Sequence, residues 1–168
     1  GWGPVTSKPV ESGWAALINE QRLAVQRDPR AALVSAIDLG EPNDIHPANK
    51  QEVGRRLTLA ARSLAYDESG GKLGPLPLSA KRKGNLIEAR FTKPLQVLSG
   101  ANVNTVELCG PAQGSCRYAE ARVRGETVEI AGDGQPATRI RYAWADYPIV
   151  NLYDLDLLPA PVFELPIQ

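Results

Sequence analysis

The single histidine of the chain, His46, is the side chain best suited to proton transfer near neutral pH, because imidazole titrates in that range. It stands in residues 38–47, DLGEPNDIHP, with Asp44 two residues before it and Asn43 three residues before it. A carboxylate this close in sequence is able to hold one tautomer of the ring. The segment therefore predicts a general base, His46, with Asp44 as its orienting acid.

The same segment allows a metal site as a second interpretation, since Asp38, Glu41, Asp44 and His46 all carry ligand side chains. At least three of them would have to converge from one short loop that contains two prolines, which is unfavourable. We therefore expect no metal and no other cofactor.

The two cysteines, Cys109 and Cys116, are separated by the turn-forming residues GPAQGS. This spacing predicts a disulfide at the base of a short loop, and a disulfide would indicate an oxidising compartment, periplasmic or extracellular. Two free thiols near a hairpin are the alternative. A redox pair would need the spacing C-x-x-C, and two cysteines are too few for a zinc site.

Residues 1–70 read as helix, strand, loop and helix. Residues 12–26 have apolar positions at three- and four-residue steps, and Asn49 with Glu52 predicts a capped second helix. Residues 31–38 are almost continuously apolar, which predicts a strand buried on both faces, as in a parallel sheet between helices. The predicted buried stripes are Trp14, Leu17, Ile18, Gln21 and Val25 in the first helix and Val53, Leu57, Ala60, Ala61 and Leu64 in the second.

The predicted strand at residues 31–38 has no parallel partner elsewhere in the chain. A single strand leaves its backbone groups unpaired, so the sheet must be completed by protein outside this sequence. His46 would follow the carboxyl end of this strand, where open α/β sheets gather their active sites.

Residues 71–168 predict an antiparallel β module, a small sandwich of short strands separated by Gly, Pro and Asn. Residues 123–128 have the pattern of a tight hairpin. We expect residues 151–168 to wrap over a neighbouring surface and the basic run at residues 81–83 to be a solvated turn. The predicted strands are residues 86–91, 103–109, 117–123, 127–130 and 138–144.

The charge balance of the 168-residue chain excludes some classes of partner. Nineteen basic and nineteen acidic residues cancel, whereas a protein that binds nucleic acid through phosphates is normally basic. No apolar run approaches the roughly 18 residues that span a bilayer. We therefore expect neither nucleic acid nor membrane as a partner.

Residues 38–47 followed by residues 49–57, NKQEVGRRL, resemble the histidine block of sialate O-acetylesterases, which are SGNH (GDSL-like) serine hydrolases. The resemblance extends upstream to WAAL (residues 14–17) and EQR (20–22). It extends downstream to RYAWAD (141–146) and NLY (151–153). It implies an α/β fold. Residues 1–70 would be the C-terminal piece of a flavodoxin-like α/β/α hydrolase domain, and residues 71–168 the β-sandwich module with its tail.

The resemblance implies acyl transfer, in which a serine attacks an acetyl ester on a sugar and His46 acts as base and then as acid. The Gly-x-Ser nucleophile segment of the family is absent from this sequence. The serine is therefore expected from an N-terminal part that is a separate chain, cleaved off or disordered. Asn43 stands where many such hydrolases have aspartate, so Asp44 or a backbone carbonyl must orient the ring.

The substrate within this class remains open among sialic acid, xylan, xyloglucan and other acetylated glycans. Trp2 is a candidate for substrate contact by stacking, whereas Trp144 is expected in the core. The rival interpretation is a non-catalytic carbohydrate-binding or structural β module with a vestigial hydrolase stub. A Gly-x-Ser segment within about 4 Å of His46 in the assembled protein would decide between the two.

Overall fold

The computed structural model describes residues 2–168 as a mixed α/β chain with few helices and mostly antiparallel sheets. No helix in this range is long and apolar enough to cross a membrane. The helices are α1 (Gly13–Val25) and α2 (Lys50–Leu64), with a 3₁₀ turn (Ile37–Leu39) between them. The strands are β1 (Pro77–Lys83), β2 (Leu86–Phe91), β3 (Leu95–Val97), β4 (Val106–Cys109), β5 (Arg117–Tyr118), β6 (Ala121–Arg124), β7 (Thr127–Ala131), β8 (Arg139–Tyr142), β9 (Leu152–Asp154) and β10 (Phe163–Pro166).

The strands form three antiparallel sheets. The first sheet has the order β1-β2-β7-β6, the second β10-β8-β4-β5, and β3 pairs with β9 in a two-stranded ribbon. The predicted hairpin is confirmed, because β6 and β7 pair through a turn at Gly125, whose φ of 60° favours glycine. Alternation is clear in β2 and β7, which bury every second side chain, whereas all four side chains of β4 are buried.

The core lies between the first and second sheets. Ile87 and Ile130 are opposite one another in the first sheet, and Leu108 and Ile140 in the second. All four are at most 1% exposed. The ring of Phe163 on β10 lies 5.6 Å from that of Phe91 on β2 and 5.6 Å from that of Tyr142 on β8. Aromatic pairs therefore join the two sheets across one continuous core.

The other face of the second sheet carries charges. Glu107, Arg141 and Glu164 lie opposite one another on β4, β8 and β10, and Arg141 donates to Glu164 and to Glu11. Glu107 is 1% exposed, and its Oε2 has no hydrogen-bond partner among residues 2–168. Burial raises the pKa of Glu107 to about 8, although the charge of Arg141 opposes the shift. This carboxyl is therefore mostly protonated at neutral pH.

The two cysteines beside this charged face form the predicted disulfide, Cys109–Cys116, which is confirmed. It joins the end of β4 to the residue before β5. The bond therefore closes the loop between two paired strands of the β module.

Helix α1 packs on the edge strand β10 through polar side chains. The Glu164 N–H donates to Asn19, and the Glu164 carbonyl accepts from Arg22, so the unpaired edge of β10 is satisfied by the helix. The predicted buried stripe is wrong in part, because Trp14 and Leu17 are 47% and 50% exposed, although Ile18 packs against the core. Periodicity identified the helix but not the face that meets the rest of the chain.

Helix α2 begins as predicted, with the Asn49 side chain accepting from the Glu52 N–H. The reciprocal half of the predicted capping arrangement does not form, since the Glu52 carboxylate binds arginines instead. The buried residues of α2 are Arg56 and Ala60. Leu57 is 53% exposed, so the predicted buried stripe of α2 is also wrong in part.

Residues 31–36 form no strand, contrary to the prediction for residues 31–38, which end in the 3₁₀ turn. They are half-buried. No backbone N–H of residues 32–36 donates a hydrogen bond to another residue among 2–168. A strand requires a paired neighbour, and the described chain supplies none at this segment.

Three details of the β module also differ from expectation. Residues 117–123 divide between β5 and β6, which lie in different sheets. The basic run at residues 81–83 ends β1 and pairs with β2, since its exposed side chains are compatible with an edge strand. Residues 151–168 do not only wrap over the surface, because they contribute β9 and β10, and β10 is buried against the core.

Candidate active site

The histidine loop, residues 39–48, presents His46 to solvent. The His46 side chain is 84% exposed, and that of Asp44 is 54% exposed. The Asp44 carboxylate accepts from the His46 backbone N–H at 2.7 Å and lies 3.5 Å from His46 Nδ1. This second distance is longer than a good hydrogen bond, a common feature of sites before substrate binds. Asp44 Oδ1 therefore lies beside Nδ1 without a hydrogen bond between the two side chains.

The loop is closed by contacts of its own residues. Glu41 and Asp44 form a backbone bridge around a turn, and the Glu41 carboxylate accepts from the Ala48 N–H at 3.0 Å. The Pro42 carbonyl accepts from the Gly3 N–H at 3.1 Å. These bonds give the exposed loop a defined shape and tie it to the N-terminal segment.

A buried ion pair lies at the base of the loop. Arg56 binds both oxygens of Asp38, at 2.6 and 2.7 Å, and donates to Glu52 at 2.8 Å. Burial lowers the pKa of Arg56, but the two carboxylates outweigh it and the pKa is raised. Hydrogen bonds from Arg55 and from Arg56 lower the pKa of Glu52 to about 2. Glu52 and Arg56 are therefore charged across the neutral range.

The β module reaches this ion pair through Tyr153 on β9. The Tyr153 hydroxyl donates to Asp38 Oδ2 at 3.2 Å. Burial, followed by the charge of Asp38, raises the pKa of Tyr153 to about 12. The Tyr153 hydroxyl therefore stays protonated and able to donate across the neutral range, and both oxygens of Asp38 are bound by protein groups.

A mostly apolar groove of about 400 Å³ adjoins the loop. The residues on either side of His46, Ile45 and Pro47, line it, and its wall runs along residues 33–37. Its volume lies in the range of ligand sites, and half-exposed tryptophans stand at its edge. The other lining residues are Trp2, Trp14, Ile18, Gln21, Gly40, Ala145, Asp146, Pro148 and Pro161.

The other residues that the sequence analysis singled out lie in different places around the groove and the loop. Trp2 lines the groove and its N–H donates to the Asp146 carbonyl at 2.9 Å. Asn43 is exposed on the loop, with no hydrogen bond to His46 in the part of the chain that is described. Trp144 is buried, 4.2 Å beneath the Arg141 guanidinium.

Two residues of the site were missed by sequence reasoning. Trp14 lines the groove instead of facing the core, and Arg56 lies under the loop. Arg56 had a visible signal, since an arginine on the buried side of an amphipathic helix requires a carboxylate partner. The position of Trp14 had no signal in the sequence, because helical periodicity does not tell which apolar face stays uncovered.

Comparison with known proteins identifies relatives of the chain, although no family model matches it. A sialate O-acetylesterase from Homo sapiens is 31% identical over 154 residues, which cover 80% of this chain and 29% of the relative. The Rattus norvegicus sialate O-acetylesterase is 27% identical over 152 residues, 80% of this chain and 28% of the relative.

A solved structure that is similar to this chain also belongs to an acetylesterase. The crystal structure of a carbohydrate acetylesterase from Xanthomonas citri superposes with a TM-score of 0.81 at 34% identity, covering 91% of this chain and 36% of that chain. The chain thus spans less than a third of the length of its curated relatives. Over four fifths of its own length, this chain is a homologue of the sialate O-acetylesterases, as the resemblance of its histidine segment indicated.

Proposed function

We propose that the chain is the histidine-bearing part of a serine-type carbohydrate O-acetylesterase. In this reaction a serine hydroxyl attacks the acetyl carbonyl while His46 Nε2 takes its proton, and the sugar hydroxyl then leaves with that proton. Water attacks the acetyl-enzyme in the same way, releasing acetate. The observation that carries the proposal is the exposed His46–Asp44 pair beside an open groove in a homologue of acetylesterases.

Asp44 is the proposed orienting acid. Its Oδ1 lies nearest to Nδ1, and its hydrogen bond to the His46 N–H holds the carboxylate against the ring. A carboxylate also stabilises the imidazolium that forms during the reaction, which the amide of Asn43 would not do by charge.

The nucleophile is proposed to lie in an N-terminal part outside these 168 residues. Within residues 2–168, no serine hydroxyl is hydrogen-bonded to His46. The unpaired N–H groups of residues 32–36 support a parallel strand of that part docking beside them, which would complete a flavodoxin-like SGNH sheet. The exposed faces of Trp14 and Leu17 and the side of the groove along residues 33–37 would then be covered, and the substrate would be left the end of the groove beside Trp2 and the histidine loop. The greater length of the relatives is consistent with this.

The proposed substrate is an acetyl ester of a carbohydrate, the class named for the relatives. Trp2 is half-exposed in the groove beside the loop, so its ring is available to stack on a sugar. A 9-O-acetylated sialic acid is our first candidate, with acetylated xylan or xyloglucan as others in the same mechanism.

The disulfide supports a proposal for the compartment of the protein. A bond such as Cys109–Cys116 persists where thiols are not kept reduced, so we propose a periplasmic or secreted location. Its oxidation state in protein isolated from the native compartment tests this.

The decisive experiment replaces His46 in the assembled enzyme. With p-nitrophenyl acetate, His46→Ala should lower kcat by about 10²–10⁴, the usual contribution of a positioned base. The fold should survive, because the side chain is 84% exposed. The 168-residue chain alone should be inactive, and activity should appear when the N-terminal part is added.

Matched variants of the loop sharpen this test. Asp44→Asn should lower kcat strongly if the carboxylate steadies the imidazolium, and less if a backbone carbonyl shares that role. Asn43→Ala, one residue away and also exposed, should change kcat little. Robust turnover by the chain alone, or full activity of His46→Ala, would contradict the proposed function.

A further inference from the structure

A network of side chains joins the two ends of the histidine loop. Asp38 comes just before the loop, and Glu52 lies in the helical turn just after it. One guanidinium, that of Arg56, binds both carboxylates and also the Ser35 carbonyl at 2.9 Å. The separation of the two ends is therefore set by a single buried group.

The β module enters the same network from outside the loop. Tyr153 is 8% exposed and lies in the β3–β9 ribbon, where it pairs with Gln96. Its hydroxyl donates to Asp38 Oδ2, the oxygen that also binds Arg56 Nη2. A displacement of β9 would therefore move Asp38, the residue just before the loop.

We propose that Asp38, Arg56 and Tyr153 are positioning residues for His46, through which the β module fixes the place of the histidine loop. This inference rests on the proposed function and goes beyond it, because it gives the β module a part in the reaction. The three residues act through the loop and not on the substrate.

The burial of the network distinguishes it from the ion pairs on the surface. The side chains of Arg56 and Asp38 are 5% and 12% exposed, whereas those of Arg62 and Glu68 are 44% and 49% exposed. Exposed pairs hold geometry weakly because water and salt screen them. A buried, bidentate pair admits one arrangement, which is what an exposed loop needs in order to present a base at a defined place.

The first test measures loop order in the 168-residue chain and requires no catalysis. Tyr153→Phe removes one hydroxyl and leaves the ring, so the chain should still fold. Hydrogen exchange of the His46 and Ala48 N–H groups, both bonded within the loop, should become about fivefold faster, the effect of one net hydrogen bond. The imidazole NMR signal, unique because the chain has one histidine, should shift. Tyr118→Phe, the same change on the exposed strand β5, should do neither.

The second test uses the assembled enzyme and separates position from substrate affinity. Tyr153→Phe should lower kcat by about tenfold and Asp38→Asn by up to about 10²-fold, with KM unchanged, as expected for a misplaced base. Exchange rates equal to those of Tyr118→Phe would overturn the coupling, and an unchanged kcat in an active enzyme would overturn the positioning role. Absence of activity in the wild-type assembly would instead count against the proposed function, leaving the exchange result to decide the coupling.

Discussion

The two regions of this chain bury their apolar residues to very different extents. Among residues 2–168, only Ala15, Ile37 and Ala60 of the buried apolar residues precede residue 71, and the rest lie in the β module. The large apolar residues exposed before residue 71 are Trp2, Val5, Trp14, Leu17, Ile45, Leu57, Leu64 and Tyr66. Residues 71–168 thus have a core of their own, whereas the first region has apolar faces that no residue among 2–168 covers.

The first region is attached to the module largely by polar contacts. Arg22 and Asn19 bind the edge of β10, and Tyr153 reaches Asp38. Hydrogen bonds and ion pairs specify geometry but contribute little net stability, so residues 2–70 gain little stabilisation from apolar burial within the described chain. The division at residue 70 remains a prediction, and α1 shows that contacts cross it.

The largest expected effect is a difference in the free energy of unfolding between two leucine-to-alanine substitutions, one in each region. Leu108 in β4 is 1% exposed and Leu57 in α2 is 53% exposed. Leu108→Ala should lower the free energy of unfolding of the chain by about 2–5 kcal/mol through lost burial and a cavity. Leu57→Ala, the identical change, should cost less than about 0.5 kcal/mol. Urea denaturation measures both, and equal costs would remove the contrast between the regions.

The next effect is the pH dependence of the free energy of unfolding that the buried Glu107 of the β module should produce. Because the pKa of Glu107 is raised to about 8, the folded state binds more protons than the unfolded state between about pH 4.5 and 8. The free energy of unfolding should therefore fall as pH rises through that window and level off above it. Glu107→Gln should be more stable than wild type by on the order of a few kcal/mol at pH 8 and nearly equal to it at pH 4.

A matched control isolates the buried carboxyl from the other acids. Glu120 is an exposed glutamate, so Glu120→Gln should leave the pH dependence of wild type in place. Denaturation at several pH values compares the three proteins. A Glu107→Gln curve parallel to that of wild type would show that Glu107 ionises normally.

The smallest effect is expected at the disulfide. Replacing both Cys109 and Cys116 by alanine should lower the free energy of unfolding by about 2.5 kcal/mol, the loop-entropy contribution for so short a loop. Hydrogen exchange of the His46 N–H should not change, since the bond lies within the module. Faster exchange at His46 would show that the two regions are coupled more widely than through Tyr153.

Several elements were predictable from local pattern. Residues 86–91 alternate in the way that a half-buried strand requires, and β2 has these bounds. Asn49 caps α2 because a side chain three residues before an amide is placed to accept from it, wherever the helix packs. The strands β9 and β10 were not predicted, since the prolines and mixed pattern of residues 151–168 give no clear period and their pairing is with distant strands.

The sequence by itself determined which residues of this chain are candidates for chemistry: one histidine, an aspartate two residues away, a cysteine pair at loop spacing, and the surrounding motif. These depend on residue types and short separations, which the covalent chain preserves. Only the tertiary structure decided that Asp38 binds Arg56 and Tyr153 and that Trp14 borders a groove. Those contacts join residues up to 115 positions apart, and they depend on which face of each element meets another surface, which no local period encodes.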